Sequence, residues 1–237
     1  MKASLRRQTL IKLARLVKKG KPPTSEDASE EETLHGGRES EGTSAPVSLP
    51  DWYDLDQELI LALERPTPAK DLFDHIEDNG GSLDEEKTKV ILKQLVDAAV
   101  DLEKKHIFCR DIKLQNLLME TSSDVPRVRL IDFGLSCFVE KGARYRVFFG
   151  TPPPPPPEWY DRGMYRAGPT AVYQIGAVLF ETLHSGAEFD TIGFFADDLR
   201  ISNELSENCQ DLLRTCLNQD PNQRPTLKQL RIHPWLQ

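Results

Sequence analysis

The segment "AVYQIGAVLFETLHSG", residues 171–186, constrains the fold of this chain more than any other, because it is apolar on nearly every side of a helix. A helix that is apolar all round must be enclosed by other elements. We therefore predict a central buried helix here, in a chain of 237 residues that is long enough to enclose it. The chain from Tyr173 onward carries helical patterns, so the surrounding domain should be mainly helical.

Two further helices are predicted before this segment. "DLFDHIEDNGG", residues 71–81, indicates a short helix that is ended by its glycines. "SLDEE", residues 82–86, supplies an N-cap and an acidic first turn for a long helix. The buried face of that long helix is expected to consist of Ile91, Leu95, Ala98, Ala99 and Leu102.

A small number of strands accompanies these helices, so the predicted fold class is α+β. "DWYDLDQELILALERP", residues 51–66, indicates two strands joined by a polar turn. The second of these runs from Leu59 to Leu63, and prolines then stop it. Two short strands should flank Asn116, one ending near Met119 and one lying in "VRLIDF".

The first 47 residues have a different composition from the rest. Residues 1–21 carry eight basic residues and no acidic ones, with one apolar helical face formed by Leu10, Leu13, Ala14 and Val17. This segment is either a solvated basic tail that folds only on contact, or a helix for a membrane surface, a targeting receptor or a partner. Residues 22–47 almost lack bulky apolar side chains, so we predict that they are disordered.

Composition excludes several classes of protein. The net charge of −8 argues against a nucleic-acid binder. No apolar run approaches the roughly 20 residues of a membrane span, and the N-terminus lacks the apolar region of a secretory signal. The four cysteines have no C-x-x-C spacing, which disfavours a zinc site or a disulfide framework. We expect a reducing compartment, the cytoplasm or also the nucleus.

The segment "HIFCRDIKLQNLL", residues 106–118, and the triplet "DFG" starting at Asp132 carry the chemical signal. Lys113 lies two residues after Asp111, Asn116 lies five after it, and Asp132 follows at 21 residues. A lone D-F-G recurs by chance, and each residue alone is more typical of a turn or a cap. The ordered set with this spacing is far more specific.

These pieces resemble the catalytic loop and the magnesium loop of the protein kinases. The resemblance implies that Asp111 accepts the proton of the attacking hydroxyl and that Lys113 neutralises the moving phosphate. It also implies that Asn116 and Asp132 bind Mg²⁺, with Asp132 close to ATP, and that Gly134 permits the turn that aims Asp132 inward. A lysine two residues after the aspartate is typical of serine/threonine kinases.

The C-terminal part extends the resemblance. Glu158 in "PPEW" is similar to the A-P-E element, and Arg224 is similar to its arginine partner. These two residues should form a structural buried ion pair, costly by about 3–5 kcal/mol if one partner is removed. "HPW" near the end matches the usual end of a kinase domain.

The segment "LERPTPAKDLFDHI" is similar to the hinge of the Pim kinases. Pro66 has no N–H and cannot make the second hinge hydrogen bond to adenine. The backbone of Glu64 would make the remaining contact, and Leu118 would form the floor under the adenine. Ala171 also stands where Pim-like kinases have an alanine and most kinases an aspartate.

Substrate residues follow from the same resemblance. Asp71 and Asp74 match acids that Pim-like kinases direct toward basic Ser/Thr peptides, and Thr151 matches a threonine near the catalytic aspartate. Leu114 and Gln115 stand where those kinases often have two more acids, which weakens the selectivity. Protein substrates are therefore expected, with an unspecified oligomeric state.

Three features depart from the family pattern. The chain has no G-x-G-x-x-G, and Lys12 lies in a helix-type pattern, so it does not match the strand lysine that binds phosphates. Cys109 replaces a histidine and is either a packing substitute or a reactive thiol. Pro152 to Pro157 form an unbroken run, which should alter peptide docking and could bind a proline-recognising module.

The domain organisation expected is therefore a basic and disordered region at 1–48 and a partial kinase domain at 49–237. Within it, residues 49–66 would be two small-lobe strands and the hinge, and residues 67–237 the helical large lobe. The predicted function is serine/threonine phosphotransfer from Mg-ATP. The alternatives are an inactive kinase-like binding module and an incomplete gene product.

Overall fold

The structure, a computed structural model, describes residues 46–54, 59–122, 125–149, 155–186 and 188–237. The helices are α1 Leu72–Asp78, α2 Glu85–Lys104, α3 Pro157–Arg162, α4 Ala167–Leu183, α5 Thr191–Phe195, α6 Glu207–Cys216 and α7 Leu227–Arg231, with 3-10 turns at Leu114–Asn116 and Pro234–Leu236. The strands are β1 Asp51–Asp54, β2 Leu59–Ala62, β3 Ala69–Asp71, β4 Ile107–Phe108, β5 Leu117–Glu120, β6 Arg127–Leu130 and β7 Cys137–Phe138. The predicted basic segment and residues 22–45 of the linker lie outside the described residues. The prediction of disorder is wrong for Val47, which is 3% exposed and whose N–H donates to the Leu130 oxygen at 3.1 Å.

Helix α4 is the centre of the core, as its composition predicts. Every residue from Thr170 to Phe180 is buried, which is three full turns with no solvent-facing side. Gly176 permits the closest contact with α6, because a Cβ there would lie 2.8 Å from the Cβ of Cys216. Helices α2, α6 and α7 pack around α4 and contribute to one continuous cluster of buried side chains.

Helix α2 begins where the sequence predicts an N-cap. Asp84 is the cap, and its Oδ1 accepts a hydrogen bond of 2.8 Å from the Lys87 N–H. The predicted face is buried at all five positions, so the prediction is confirmed. Glu85 ties the start of α2 to the C-terminus, since its carboxylate accepts hydrogen bonds from the Ser206 hydroxyl at 2.6 Å and the Trp235 indole N–H at 2.7 Å.

The strands form three small antiparallel sheets in the described part of the chain. Strands β1 and β2 pair with each other, as predicted, although β2 ends at Ala62 instead of Leu63. Strands β3, β5 and β6 form a sheet in that order with β5 in the middle, and β4 pairs with β7. The two strands predicted near Asn116 are β5 and β6, and both follow it in the chain.

The observed class is α+β with a mainly helical body, as predicted. The β3–β5–β6 sheet and the β4–β7 pair both adjoin the loop at residues 109–116, which brings the predicted catalytic residues together. None of the described helices is both long and apolar enough to cross a bilayer.

Candidate active site

The candidate active site is built on the loop between β4 and β5. Strand β4 is only two residues long, and the chain reverses just after it at Arg110, whose φ is 69°. The short 3-10 turn that precedes β5 then brings Asn116 back toward Asp111. Both side chains are nearly buried, with 4% of Asp111 and 6% of Asn116 exposed.

Asp111, Lys113 and Asn116 form one polar cluster. The Asn116 Nδ2 donates hydrogen bonds to the backbone oxygen of Asp111 at 2.8 Å and to its Oδ2 at 2.9 Å. The ammonium of Lys113 lies 3.3 Å from the same Oδ2. The second oxygen, Oδ1, is buried and accepts no hydrogen bond within the part of the chain that the structure describes. The structure thus brings the predicted trio together and leaves one carboxylate oxygen of Asp111 without a partner among the described residues.

Asp132 adjoins this cluster through the backbone. The Ile131 N–H donates to the Asn116 oxygen at 2.9 Å, so residues 116 and 132 sit at the adjacent ends of β5 and β6. Gly134 lies in a turn, and its predicted role of permitting the turn that aims Asp132 inward stays a prediction. The positive φ in this loop, 60°, falls on Asp132 itself, and the Gly134 N–H donates to the Asp132 Oδ1 at 2.9 Å. An aspartate tolerates this conformation better than most residues with a side chain.

The donor set fits Mg²⁺, which prefers oxygen ligands. The Asn116 Nδ2 donates to Asp111 in both of its hydrogen bonds, and the amide oxygen is the group of this side chain that could bind a metal. The Asp132 side chain is exposed and offers its carboxylate from the adjacent strand end. Groups of three or more His, Cys, Asp or Glu side chains suited to a metal do not occur among the described residues. The site therefore offers an amide and a carboxylate, with the remaining ligands left to water or phosphate.

Gln174 is a buried residue that supports the candidate site and was not predicted from the sequence. It is buried in α4, and its Nε2 donates a hydrogen bond of 2.8 Å to the backbone oxygen of Arg110. This bond attaches the catalytic loop to the central helix. A signal was present, because Gln174 is a polar residue inside an otherwise apolar segment.

Aromatic rings hold the Arg110 side chain. Its guanidinium carbon lies 4.6 Å from the ring centre of Tyr145, 5.2 Å from that of Phe149 and 5.9 Å from that of Phe108. Such contacts are attractive between a cation and the face of a ring. They link the catalytic loop to the segment that follows β7.

Cys109 behaves as a packing residue. Its side chain is 3% exposed, and burial raises the pKa of its thiol to about 11. Its backbone oxygen accepts a hydrogen bond of 3.2 Å from the Ser136 hydroxyl. A buried thiol with a raised pKa is a poor nucleophile, which favours the packing interpretation over the reactive one.

The hinge residue Glu64 is fixed at its backbone and at its side chain. Its N–H donates to the Ser48 oxygen at 2.9 Å, which leaves its carbonyl as the backbone group able to contact a purine. Its carboxylate accepts hydrogen bonds from the Ser48 N–H at 3.0 Å and from the Arg129 guanidinium. The hydrogen bonds from Ser48 and the charge of Arg129 lower the pKa of Glu64, although burial opposes this. Leu118 lies on β5, directly opposite Arg129.

The predicted substrate residues have different outcomes. Asp71 is the N-cap of α1, and its Oδ1 accepts a hydrogen bond of 2.9 Å from the Asp74 N–H. The Asp74 side chain is exposed. Thr151 and the first three prolines of the run, residues 152–154, lie outside the described residues. Pro156 and Pro157 are buried and begin α3, so this part of the run is packed.

A cavity of about 480 Å³ lies beside Lys113, between α1, the catalytic loop and the end of α4. Carboxylates line it from three different segments, namely Glu77, Glu181 and Glu188. Burial raises the pKa of Glu181 to about 7, and its Oε1 accepts a hydrogen bond of 3.0 Å from the Phe189 N–H. No local sequence pattern indicates this cavity, because its lining residues come from distant parts of the chain.

The ion pair predicted between Glu158 and Arg224 is confirmed. The guanidinium donates two hydrogen bonds to the carboxylate, of 3.0 Å and 2.6 Å, and neither side chain is more than 4% exposed. The pair attaches the segment after the proline run to the C-terminal helices.

Comparisons with known proteins agree with this geometry. The profile of the protein kinase domain matches residues 18–236. Its start lies upstream of residue 49, so the predicted division there remains a prediction. The chain is 31% identical over 208 residues to serine/threonine-protein kinase pim-2 of Danio rerio, covering 86% of this chain and 66% of that protein. It is 27% identical over 195 residues to serine/threonine-protein kinase prk-2 of Caenorhabditis elegans, covering 80% and 43%.

A third relative is serine/threonine-protein kinase ppk25 of Schizosaccharomyces pombe, 31% identical over 163 residues, covering 66% of this chain and 38% of that protein. The chain therefore spans between about two fifths and two thirds of the lengths of these relatives. The profile covers far more than half of the chain, and the Asp111, Asn116 and Asp132 cluster lies within the match. This chain belongs to the protein kinase domain family.

Proposed function

We propose that this chain is a serine/threonine protein kinase, which transfers the γ-phosphate of ATP to a hydroxyl of a protein substrate. The observation that carries the proposal is the state of the Asp111 carboxylate. Lys113 and Asn116 hold its Oδ2, while its buried Oδ1 has no hydrogen-bond partner in the described part of the chain. A fixed carboxylate with one unpartnered oxygen suits a general base that receives a hydroxyl proton.

The other residues take the roles that phosphotransfer needs. Bound Mg²⁺ would neutralise phosphate charge, and Asn116 and Asp132 would hold it. Lys113 lies close enough to Asp111 to place a positive charge beside the moving phosphate. The Glu64 carbonyl would contact the purine edge, and Leu118 would pack against its face.

Pim-like selectivity for basic Ser/Thr peptides is the finer part of the proposal. The cavity of about 480 Å³ beside Lys113 supports it, because Glu77, Glu181 and Glu188 are part of its otherwise largely apolar lining. An arginine or lysine side chain next to the acceptor hydroxyl would gain carboxylate partners there. Asp74 adds an exposed carboxylate on α1. We propose the cytoplasm, with the nucleus as a further compartment, as the place of action.

The second candidate is an inactive kinase-fold module that binds substrates or regulators. The absence of a G-x-G-x-x-G motif from the 237 residues favours it, because that loop covers the phosphates in active kinases.

A phosphotransfer assay separates the two. The chain is incubated with Mg-ATP labelled at the γ-phosphate and a serine peptide flanked by arginines, and then with a peptide in which glutamine replaces the arginines. Asp111→Asn should lower turnover by at least about 100-fold. Asp101→Asn is the matched control, since Asp101 is exposed on α2 and pairs with Lys104.

The two proposals give different results. A kinase of this type phosphorylates the arginine peptide with a lower KM than the glutamine peptide. Absence of phosphate transfer by the folded wild-type chain would reject the kinase and leave the binding module. Equal turnover by Asp111→Asn and wild type would reject Asp111 as the base.

A further inference from the structure

Arg129 lies in the middle of β6, on the face of the sheet that carries Leu118. The two residues are direct partners across β5 and β6, and partners in register share a face. Only 3% of the Arg129 side chain is exposed. No role for it follows from the catalytic or magnesium loops, because it precedes Asp132 by three residues and faces the hinge.

Two carboxylates from different segments pair with this buried guanidinium. One belongs to Glu64 in the hinge, which accepts a hydrogen bond from Nη2. The other belongs to Glu120 on β5, whose Oε1 lies 3.5 Å from Nε. An arginine stays charged at any ordinary pH, and a buried charge is costly unless it is paired. The Glu64 side chain is therefore held in place by its charge and by its hydrogen bonds.

The contacts around Glu64 form a closed ring. Arg129 holds the Glu64 carboxylate, and the Ser48 N–H donates to the same oxygen at 3.0 Å. The Glu64 N–H returns a hydrogen bond to the Ser48 oxygen. The ring closes on β6, since the Val47 N–H donates to the Leu130 oxygen at 3.1 Å. With the N–H and the side chain both fixed, little freedom remains for the Glu64 carbonyl.

We propose that Arg129 is a positioning residue for the nucleotide, which holds the hinge carbonyl of Glu64 in register with Leu118 so that a purine fits between hinge and floor. This inference rests on the proposed function, because it concerns the purine end of the same site. Arg129 touches no reacting atom and acts through Glu64. We therefore expect substitution of Arg129 to weaken binding of the purine base and to leave binding of the phosphates unchanged.

The test compares two ligands that occupy different ends of the site. Adenosine uses the hinge and the floor alone, whereas Mg-tripolyphosphate uses only the catalytic and magnesium loops. Wild type, Arg129→Met, Arg129→Lys and Arg127→Met are titrated with each ligand by calorimetry, and their urea unfolding is measured in the same buffer. Arg127 is the matched control, because it lies on the same strand face, pairs with Glu120 at 4.0 Å and is 42% exposed.

Arg129→Met should bind adenosine about tenfold more weakly, equivalent to about 1.4 kcal/mol, and Mg-tripolyphosphate with unchanged affinity. Arg129→Lys should recover part of the loss, because it keeps the charge without the planar fork. Arg127→Met should bind both ligands as wild type does. A purely structural role would lower the folded fraction and weaken both ligands together.

Four results overturn the inference. The first is unchanged adenosine affinity in folded Arg129→Met. The second is an equal loss of affinity for both ligands. The third applies if Arg129→Met does not fold: unchanged adenosine affinity of Arg129→Lys refutes the inference, whereas a loss of about threefold or more supports it. The fourth is a wild type that binds neither ligand, which refutes the proposed function too and is seen before any variant is compared.

Discussion

Replacing Arg224 by methionine should destabilise this domain more than the loss of any exposed ion pair described here. The Arg224 side chain is 0% exposed and that of Glu158 is 4% exposed. Besides its two bonds to Glu158, the guanidinium donates to the backbone oxygens of Asn218 at 2.8 Å and Pro169 at 3.0 Å. The guanidinium carbon of Arg224 also lies 4.6 Å from the ring centre of Tyr173. The substitution leaves a buried carboxylate and two backbone carbonyls without these donors.

The expected cost follows from that burial. Removing one partner of a buried ion pair costs about 3–5 kcal/mol. Domains of this kind have a total unfolding free energy of about 5–15 kcal/mol, so the variant loses a fifth of its stability at the least. The double variant Glu158→Gln, Arg224→Met should cost less than the sum of the two single variants, because the second change removes the charge that the first has stranded.

Urea unfolding followed by circular dichroism measures these differences. The matched control is Arg231→Met, because Arg231 pairs with Asp97 at 2.6 Å with side chains 56% and 46% exposed. Exposed pairs contribute about 0–1 kcal/mol, so this variant should unfold nearly as wild type does. An Arg224→Met variant that loses no more than Arg231→Met would refute the reasoning, and so would strict additivity in the double variant.

Gly176→Ala should lower the free energy of unfolding in urea by about 1–3 kcal/mol, because the new Cβ would lie 2.8 Å from a side chain of α6. The control Gly168→Ala, whose new Cβ would have its nearest atom at 3.7 Å, should unfold at the same urea concentration as wild type or a slightly higher one. Equal losses in the two variants would contradict this. In the native chain, iodoacetamide should alkylate the half-buried Cys137 before the buried Cys109. Mass spectrometry measures the two rates, and equal rates would contradict the buried state of Cys109. Burial raises the pKa of Glu181 from 4.5 to about 7, so its protonation contributes fully to stability below about pH 4.5, and this contribution is lost as the pH rises through about 7. In wild type, the unfolding free energy should therefore fall by up to about 3 kcal/mol between pH 5 and pH 7.5, and Glu181→Gln should remove this decrease. A variant with the same pH dependence as wild type would contradict the prediction.

Sequence patterns predicted the elements whose reasons are local. An apolar run with no polar side predicted the burial of α4, and a periodic face predicted the packing of α2. The grouping of Asp111, Lys113 and Asn116 was predicted through resemblance to the kinase catalytic loop, and the short turn between them accounts for it. The ion pair of Glu158 and Arg224 was predicted only through resemblance, since 66 residues separate the two partners.

Features set by tertiary contact were not predicted. Strands β4 and β7 have two residues each, and only their mutual pairing defines them. The left-handed backbone of Asp132 was not predicted, because nothing local in the sequence indicated it. Gln174 and Arg129 act through partners that are 64 and 65 residues away along the chain.

Calorimetric titration of the wild-type chain with ATP tests the proposed site most directly, with and without Mg²⁺ and beside Asp132→Asn. A phosphotransfer site predicts saturable binding in Mg²⁺ that weakens by about tenfold or more without the metal or in the variant, a loss of at least about 1.4 kcal/mol. A folded wild-type chain that releases no saturable heat, or an Asp132→Asn variant that binds Mg-ATP equally well, would contradict it.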